Sequence, residues 1–307
     1  MKILIKLLES YVIVLILALF SGLAFPDFGL YIAPASTLFL QIIFFLSSLK
    51  LDARALAVEA KRKRTIVLVN FYMLILFPAT VFLLAKFLAP QYALPLLLLA
   101  AMPAGMTSPL LSEIVGGSVG FALVLTMTTS LFSPITIPLM IKLLAGASVV
   151  VPIMAMFKSL FFVIVVPFAL AQTVRLFFHE KIKATFFTFK PISILFLGLL
   201  IFGIVAKQAG ELRTHLGLFL GALTVLSIFF FLLHLIGYWG VPGLARAERL
   251  SATICLTYMN FTLAIFLAGK FFPRPEVLIP VILSVFPWSI GIIPFKFLAN
   301  RRQKNGT

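Results

Sequence analysis

Two polar stretches interrupt an otherwise apolar chain, and they carry the groups that could hold a small ligand. The first is Ala101–Ser112, Ala-Met-Pro-Ala-Gly-Met-Thr-Ser-Pro-Leu-Leu-Ser. Pro103 and Pro109 each remove an amide donor and crowd the preceding turn, at about 3 kcal/mol apiece in a helix interior, and Gly105 weakens the helix further. The backbone is expected to open here. In hydrocarbon, open backbone is tolerated only where protein buries it or where it lines a polar cavity, so the break marks a binding site. Thr107 and Ser108 ahead of Pro109 read as a cap and the start of a half-helix from Leu110. Its free amides could face an anionic group, or the cap could simply finish the backbone.

The second stretch is Thr253-Ile-Cys-Leu-Thr-Tyr-Met-Asn-Phe-Thr262, in which five of ten side chains are Thr, Tyr or Asn. Asn260 can donate and accept toward a carboxylate or a crossing helix; Thr257 and Tyr258 read more as packing and local bonding. Between the two lies Thr126-Met-Thr-Thr-Ser-Leu-Phe-Ser-Pro-Ile-Thr-Ile-Pro138. Its hydroxyls at Thr126, Thr129, Ser130 and Ser133 share a helical face that can point at the first break. Some of them can instead satisfy carbonyls freed by Pro134 and Pro138.

Titratable groups at membrane depth are few. Of the nine acids, eight fall at span ends or in loops. Glu113, just past the first break, is the one carboxylate open to proton coupling, with a solvated helix-end acid as the plainer reading. His234 is the one histidine well inside an apolar run, a relay or a hydrogen-bonded core residue. There is no His-Glu-x-x-His, no Gly-x-Ser-x-Gly and no aspartate pair in the spans, which argues against an enzyme. No charged ring or filter argues for a channel. The single cysteine, Cys255, excludes a disulfide framework and a cysteine metal site, so no metal and no cofactor are expected.

These residues are carried by an all-α polytopic membrane protein. The chain is 62% hydrophobic and 11% charged, with a mean hydropathy of +1.18. Ten apolar spans are expected at 9–25, 31–50, 65–88, 92–115, 118–144, 150–177, 190–208, 215–239, 250–270 and 276–299. The basic start followed by leucines looks like a signal peptide, but Glu9 and Ser10 interrupt it and no cleavage site is clear. With the N-terminus inside, 18 of the 25 Lys and Arg residues lie on the inner side and 7 outside, which places both termini in the cytoplasm. The formal charge of +16 is thereby a topology signal and not a nucleic-acid surface. Lys61-Arg-Lys-Arg64 reads as a juxtamembrane cluster facing lipid headgroups. Ten spans divide into an inverted pair of five-helix repeats, 1–146 and 147–307, with the fourth and ninth spans as matching interrupted helices.

Pro-Ala-Gly-Met-Thr-Ser-Pro (103–109), Gly120-Phe-Ala-Leu-Val-Leu-Thr126 and Thr-Thr-Ser-Leu-Phe-Ser-Pro-Ile-Thr-Ile-Pro (128–138) resemble the bile acid:sodium symporter family. Ser48-Leu-Lys-Leu, Phe77-Pro-Ala-Thr80 and Asn260 with Leu263-Ala264 are weaker matches. The resemblance implies a panel domain from helices 1, 2, 6 and 7, and a core domain from helices 3, 4, 5, 8, 9 and 10 in which broken helices 4 and 9 cross. It implies sodium-coupled uptake of an organic anion, in a bacterial-type member lodged in the inner (plasma) membrane.

Departures from the family pattern fall on its sodium sites. Ser108 and Thr126 keep the hydroxyls of the first site, but Pro109 replaces an asparagine and Ala122 a serine. At the second site, on a gapless alignment, the acidic residue falls at Cys255 and two glutamines at Met259 and Met73. Sodium takes oxygen ligands, and losing the one carboxylate leaves a buried cation uncompensated. The expected function is secondary transport of a small organic anion by alternating access, with sodium coupling weakened or absent. Gly105, Thr107, Ser108, Pro109, Thr126, Thr129, Tyr258 and Asn260 are the expected substrate residues. Ser108, Thr126, Glu113 and His234 are the weaker candidates for ion coupling. A proton-coupled carrier, an exporter, and a transporter-derived receptor or scaffold stay open, as do substrate and oligomeric state.

Overall fold

The structure is a computed structural model that describes residues 11–51, 63–147, 149–215, 217–241 and 243–304. The predicted start of the first span (Glu9, Ser10) and Lys2, Lys6, Asp52, Arg54, Glu59, Lys61 and Arg62 lie outside these residues. Every regular element described is helical. In the first part of the chain these are α1 (Tyr11–Ala24), α2 (Pro26–Ile32), α3 (Ser36–Lys50), α4 (Lys63–Phe71), α5 (Phe77–Leu88), α6 (Ala93–Ala100), α7 (Ser108–Ile114) and α8 (Val119–Ala145). There follow α9 (Ile153–Leu160), α10 (Val166–Lys207), α11 (Ala209–Thr214), α12 (Leu218–Trp239), α13 (Arg246–Thr257), α14 (Phe261–Phe271), α15 (Pro275–Leu283) and α16 (Val285–Lys304).

Several of these join end to end. Alpha 4 and α5 are one rod through a wider π-helical turn at Tyr72–Leu76, as are α9 and α10 through Phe161–Val165. Among the described residues, seven helices are long and apolar enough to cross a bilayer: Pro26–Lys50, Lys63–Leu88, Val119–Ala145, Ile153–Phe178, Glu180–Lys207, Leu218–Trp239 and Pro275–Phe297. Ile13–Ala24, Pro90–Ala100 and Phe261–Phe271 are apolar but shorter.

One boundary differs from the sequence expectation. The helix expected to start at 190 begins at Glu180, so Lys181, Lys183 and Lys190 ride on helix and not in a loop. The kink that divides it from the preceding helix falls at Phe178, at φ −128° and ψ 28°. The stretch 180–190 contains no glycine or proline, so nothing in it stops a helix that Pro191 then merely enters.

Two packing groups organise the molecule. Alpha 10 lies along α1, α2 and α3, and small residues set the approach. A Cβ at Gly203 would lie 2.9 Å from Ala33 Cα, and one at Gly198 would lie 2.8 Å from a Val14 methyl. Without a hydrophobic drive between helices in lipid, close backbone approach of this kind supplies much of the association. In the other group α12 packs on α13 and α15, and α6 packs on α15. The core running through this second group encloses both polar stretches.

Candidate functional site

The chain opens where Pro103, Gly105 and Pro109 fall. Helix α6 stops at Ala100 and α7 starts at Ser108, leaving 101–107 irregular. A second opening separates α13 from α14 at Tyr258–Asn260. The two openings meet: Ala104 and Met259 form an antiparallel bridge, the one strand-like pairing among the described residues. Gly105 donates its amide to Tyr258 O at 2.9 Å, and Asn260 donates its amide to Pro103 O at 2.9 Å. Backbone freed from one helix is thus satisfied by backbone freed from the other, which is what a low-dielectric interior demands. Gly105 is required by space: a Cβ there would stand 2.5 Å from Tyr258 O.

Hydroxyls complete the bonding. Thr129 Oγ1 accepts the Ala104 amide at 3.2 Å and donates to Leu125 O at 2.6 Å. Ser108 Oγ donates to Tyr258 O at 3.3 Å. Asn260 caps α14 by accepting the Leu263 amide on Oδ1 at 3.1 Å. Ser133 Oγ donates at 2.7 Å to Ser130 O, the carbonyl that Pro134 strips of its helical partner, so this hydroxyl has a structural use.

Within this knot one edge stays open. Residues 101–105, Ser108 and Pro109 are buried, whereas Met106 and Thr107 are partly exposed. Among the described residues their two amides donate to no protein acceptor. Thr107 is the cap residue of α7 by position but makes no side-chain cap bond. The half-helix starts at Ser108, not Leu110, and is only seven residues long, so its dipole is weak. At its far end α7 closes in a Schellman turn: Gly116, at φ +77°, donates to Glu113 O, and Gly117 donates to Ser112 O at 2.7 Å. Glu113 itself is exposed on this turn.

Four of the positions where the family pattern places sodium ligands, Ser108, Ala122, Thr126 and Cys255, lie together. Cys255 is fully buried, donates to Ala122 O at 3.8 Å, and sits beside the hydroxyls of Ser108 and Thr126. Thr126 Oγ1, Ser112 Oγ, Ser130 Oγ and Thr257 Oγ1 are buried there without a hydrogen-bond partner. Met259 is buried in the bridge, and Met73 is buried in the π turn that packs on α8. Among the described residues no cluster of three His, Cys, Asp or Glu could hold a metal. The donors at this point are therefore hydroxyls, one thiol and a carbonyl, with no carboxylate: a poor set for a buried sodium ion.

His234 stands apart from the crossing but touches it through Tyr258. Its Nδ1 meets Phe230 O at 2.7 Å and its Nε2 meets the Tyr258 hydroxyl at 3.1 Å. A carbonyl only accepts, so Nδ1 carries the proton in neutral imidazole and Nε2 accepts from Tyr258. Tyr258 therefore binds the crossing through its carbonyl and α12 through its ring.

Sequence reasoning passed over Asn70. Its side chain is buried in α4, where Nδ2 donates to Ile66 O at 2.8 Å and to Thr128 Oγ1 at 3.0 Å, while Oδ1 has no partner. Being the sole amide side chain in the third apolar span was the available signal.

No curated protein matches the chain. The family model described as the sodium bile acid symporter family matches residues 37–215, which takes in the first opening and α8 but ends before the second opening. That match spans more than half of the chain, and with the apolar helices that cradle the crossing it places the protein in the sodium bile acid symporter family, as an integral membrane protein of a transporter family.

Proposed function

We propose that the protein is a secondary carrier for a small organic anion, working by alternating access, in which coupling to sodium is weakened or lost. The observation that carries this is the edge at Met106 and Thr107. Two adjacent, partly exposed amides lack protein acceptors at a crossing of two broken helices. Paired amides of this kind suit a carboxylate or sulfonate oxygen. In this reading Gly105, Ser108, Pro109, Thr129 and Asn260 hold the crossing's shape, while Thr107, Thr126 and Tyr258 border the anion.

The wider architecture belongs to the same proposal. Ten spans form inverted repeats over 1–146 and 147–307, with both termini cytoplasmic. The α1–α3 and α10 group acts as a panel against which the crossing-bearing core moves. Support comes from the two openings, which fall in the fourth and ninth spans, and from the extensive packing of α10 on α1, α2 and α3. Loss of sodium coupling is supported by Cys255, Met259 and Met73 standing where oxygen donors would be needed. Neither Glu113, exposed on its turn, nor His234, hydrogen-bonded on both nitrogens, is required by this reading.

Uptake in proteoliposomes tests it. A panel of carboxylates, sulfonates and steroid sulfates is first screened by thermal shift, because a ligand that binds only the folded protein raises its apparent stability. Hits are then assayed for accumulation or exchange in sodium and in choline. The expected result is a thermal shift and counterflow that are equal in the two salts. Strict sodium dependence would overturn the uncoupled reading, and binding without any counterflow would favour a transporter-derived receptor.

A further inference from the structure

A groove of about 610 Å³ runs along the outer side of α12, α13 and α16, away from the openings. That volume falls in the ~300–1,000 Å³ range of small-molecule sites. Its walls are apolar, from Leu223, Phe230, Phe286 and Pro294. On its rim Phe231, Trp239 and Ile290 are 61%, 57% and 63% exposed, so it opens sideways, toward the acyl chains of a bilayer.

One end of the groove is polar. At that end stands Arg246, on the first turn of α13. Its Nη2 donates to Ala299 O at 2.7 Å, which pins the guanidinium at the mouth. The other N–H donors of the group remain for a ligand, and among the described residues no carboxylate pairs with it. Glu248, two residues on, is buried and accepts the Ala245 amide on Oε2 at 3.2 Å, so its charge is turned to the helix start. Arg249 adds a second cation nearby, over the Tyr238 ring at 5.5 Å. His234, bonded to Tyr258, lines the groove part-way along, and Leu223 and Phe286 line its far end. From Trp239 back to Leu223 α12 rises about 24 Å, a length comparable to an extended long-chain acyl group.

We propose that this groove binds a long-chain fatty acid drawn from the bilayer. Its carboxylate would pair with Arg246 and its chain would lie along α12 and α16, passing His234 toward Leu223. The Arg246 guanidinium at the mouth and an apolar trough behind it match a carboxylate on an acyl chain. The site is separate from the edge at Met106 and Thr107, and the inference does not rest on that edge being a substrate site. It gives the groove a mechanical reach all the same. His234 holds the ring of the residue whose carbonyl takes the Gly105 amide, so a chain lodged against His234 stiffens the crossing.

The chain contains two tryptophans, and only Trp239 lines the groove. Trp288 packs on Tyr258 and Phe261, with ring centroids 5.6 and 4.9 Å away. The full chain carrying Trp288→Phe, purified in detergent, is titrated with 9,10-dibromostearate, whose bromines quench nearby indole. Saturable quenching of Trp239 is expected, at least tenfold weaker in Arg246→Gln and at least tenfold weaker for the dibromostearate methyl ester. The ester arm keeps the test decisive if Arg246→Gln does not fold. Quenching that rises without saturation, that is equal for acid and ester, or that a dibrominated phosphatidylcholine matches at the same concentration would overturn the proposal.

Discussion

Thr129 shows how much a single hydroxyl does at the crossing. It is buried, and it is the acceptor for the amide of Ala104. Thr129→Val keeps the shape but strands that amide, at about 1–3 kcal/mol for a buried unsatisfied donor. A lower thermal midpoint with little change in helix content is expected by circular dichroism. Gly105→Ala pushes a methyl into the Tyr258 carbonyl and is expected to cost about 1–3 kcal/mol as overpacking, whereas Gly210→Ala, with open space around it, serves as the neutral control. The sodium positions give a sharper trial. Cys255→Asp with Met259→Gln returns the oxygen donors, so this variant should lose stability in choline and recover it in sodium, read as a thermal shift absent from the parent. No such recovery would show that the cluster around Ser108 and Thr126 is not a sodium site that has lost its ligands. The sequence assigns Cys255 to a different site from Ser108, Thr126 and Ala122, so their meeting at one place was not legible in advance. Nor was the partner of Thr129. A hydroxyl on a helical face can bond its own helix or a neighbour's amide, and only the neighbour's position decides.

At the scale of the element, α8 shows which prolines and hydroxyls belong together. Pro134 frees the Ser130 carbonyl and Ser133 refills it; Thr136 Oγ1 donates to Phe132 O at 3.3 Å on an exposed face where the helix already bonds that carbonyl. Ser133→Ala should therefore cost about 1–3 kcal/mol, and Thr136→Val should stay within about 0.5 kcal/mol, measured side by side by thermal unfolding. Ser118 caps α8 by accepting the Phe121 amide, and its carbonyl receives the Ser251 hydroxyl at 2.8 Å. The first opening was legible because proline and glycine announce it. The second contains neither between Thr253 and Thr262, and only its polar composition pointed there. The short join at Phe178 was illegible for the opposite reason: aromatic residues break one helix and start the next with no breaker to mark the place.

For the whole molecule, the crossing ties together chain segments far apart in sequence. Ser108 and Tyr258, which bond each other, are 150 residues apart, so each half holds donors and acceptors that only the other can satisfy. Expressed separately, 1–146 and 147–307 are expected to be degraded or aggregated. Expressed together, they should copurify and unfold near the midpoint of the intact chain. A first half stable alone would show that its open backbone finds partners within itself. The same bond dictates the order of synthesis. At ~5–20 residues per second, the Gly105 amide waits on the order of 10–30 s for the Tyr258 carbonyl to be made. Throughout that interval the newly inserted half exposes open backbone to the membrane. The nascent chain is therefore most vulnerable to quality-control proteases while it is half translated, and anything that shields residues 101–107 during synthesis would raise the yield of protein without touching its final stability.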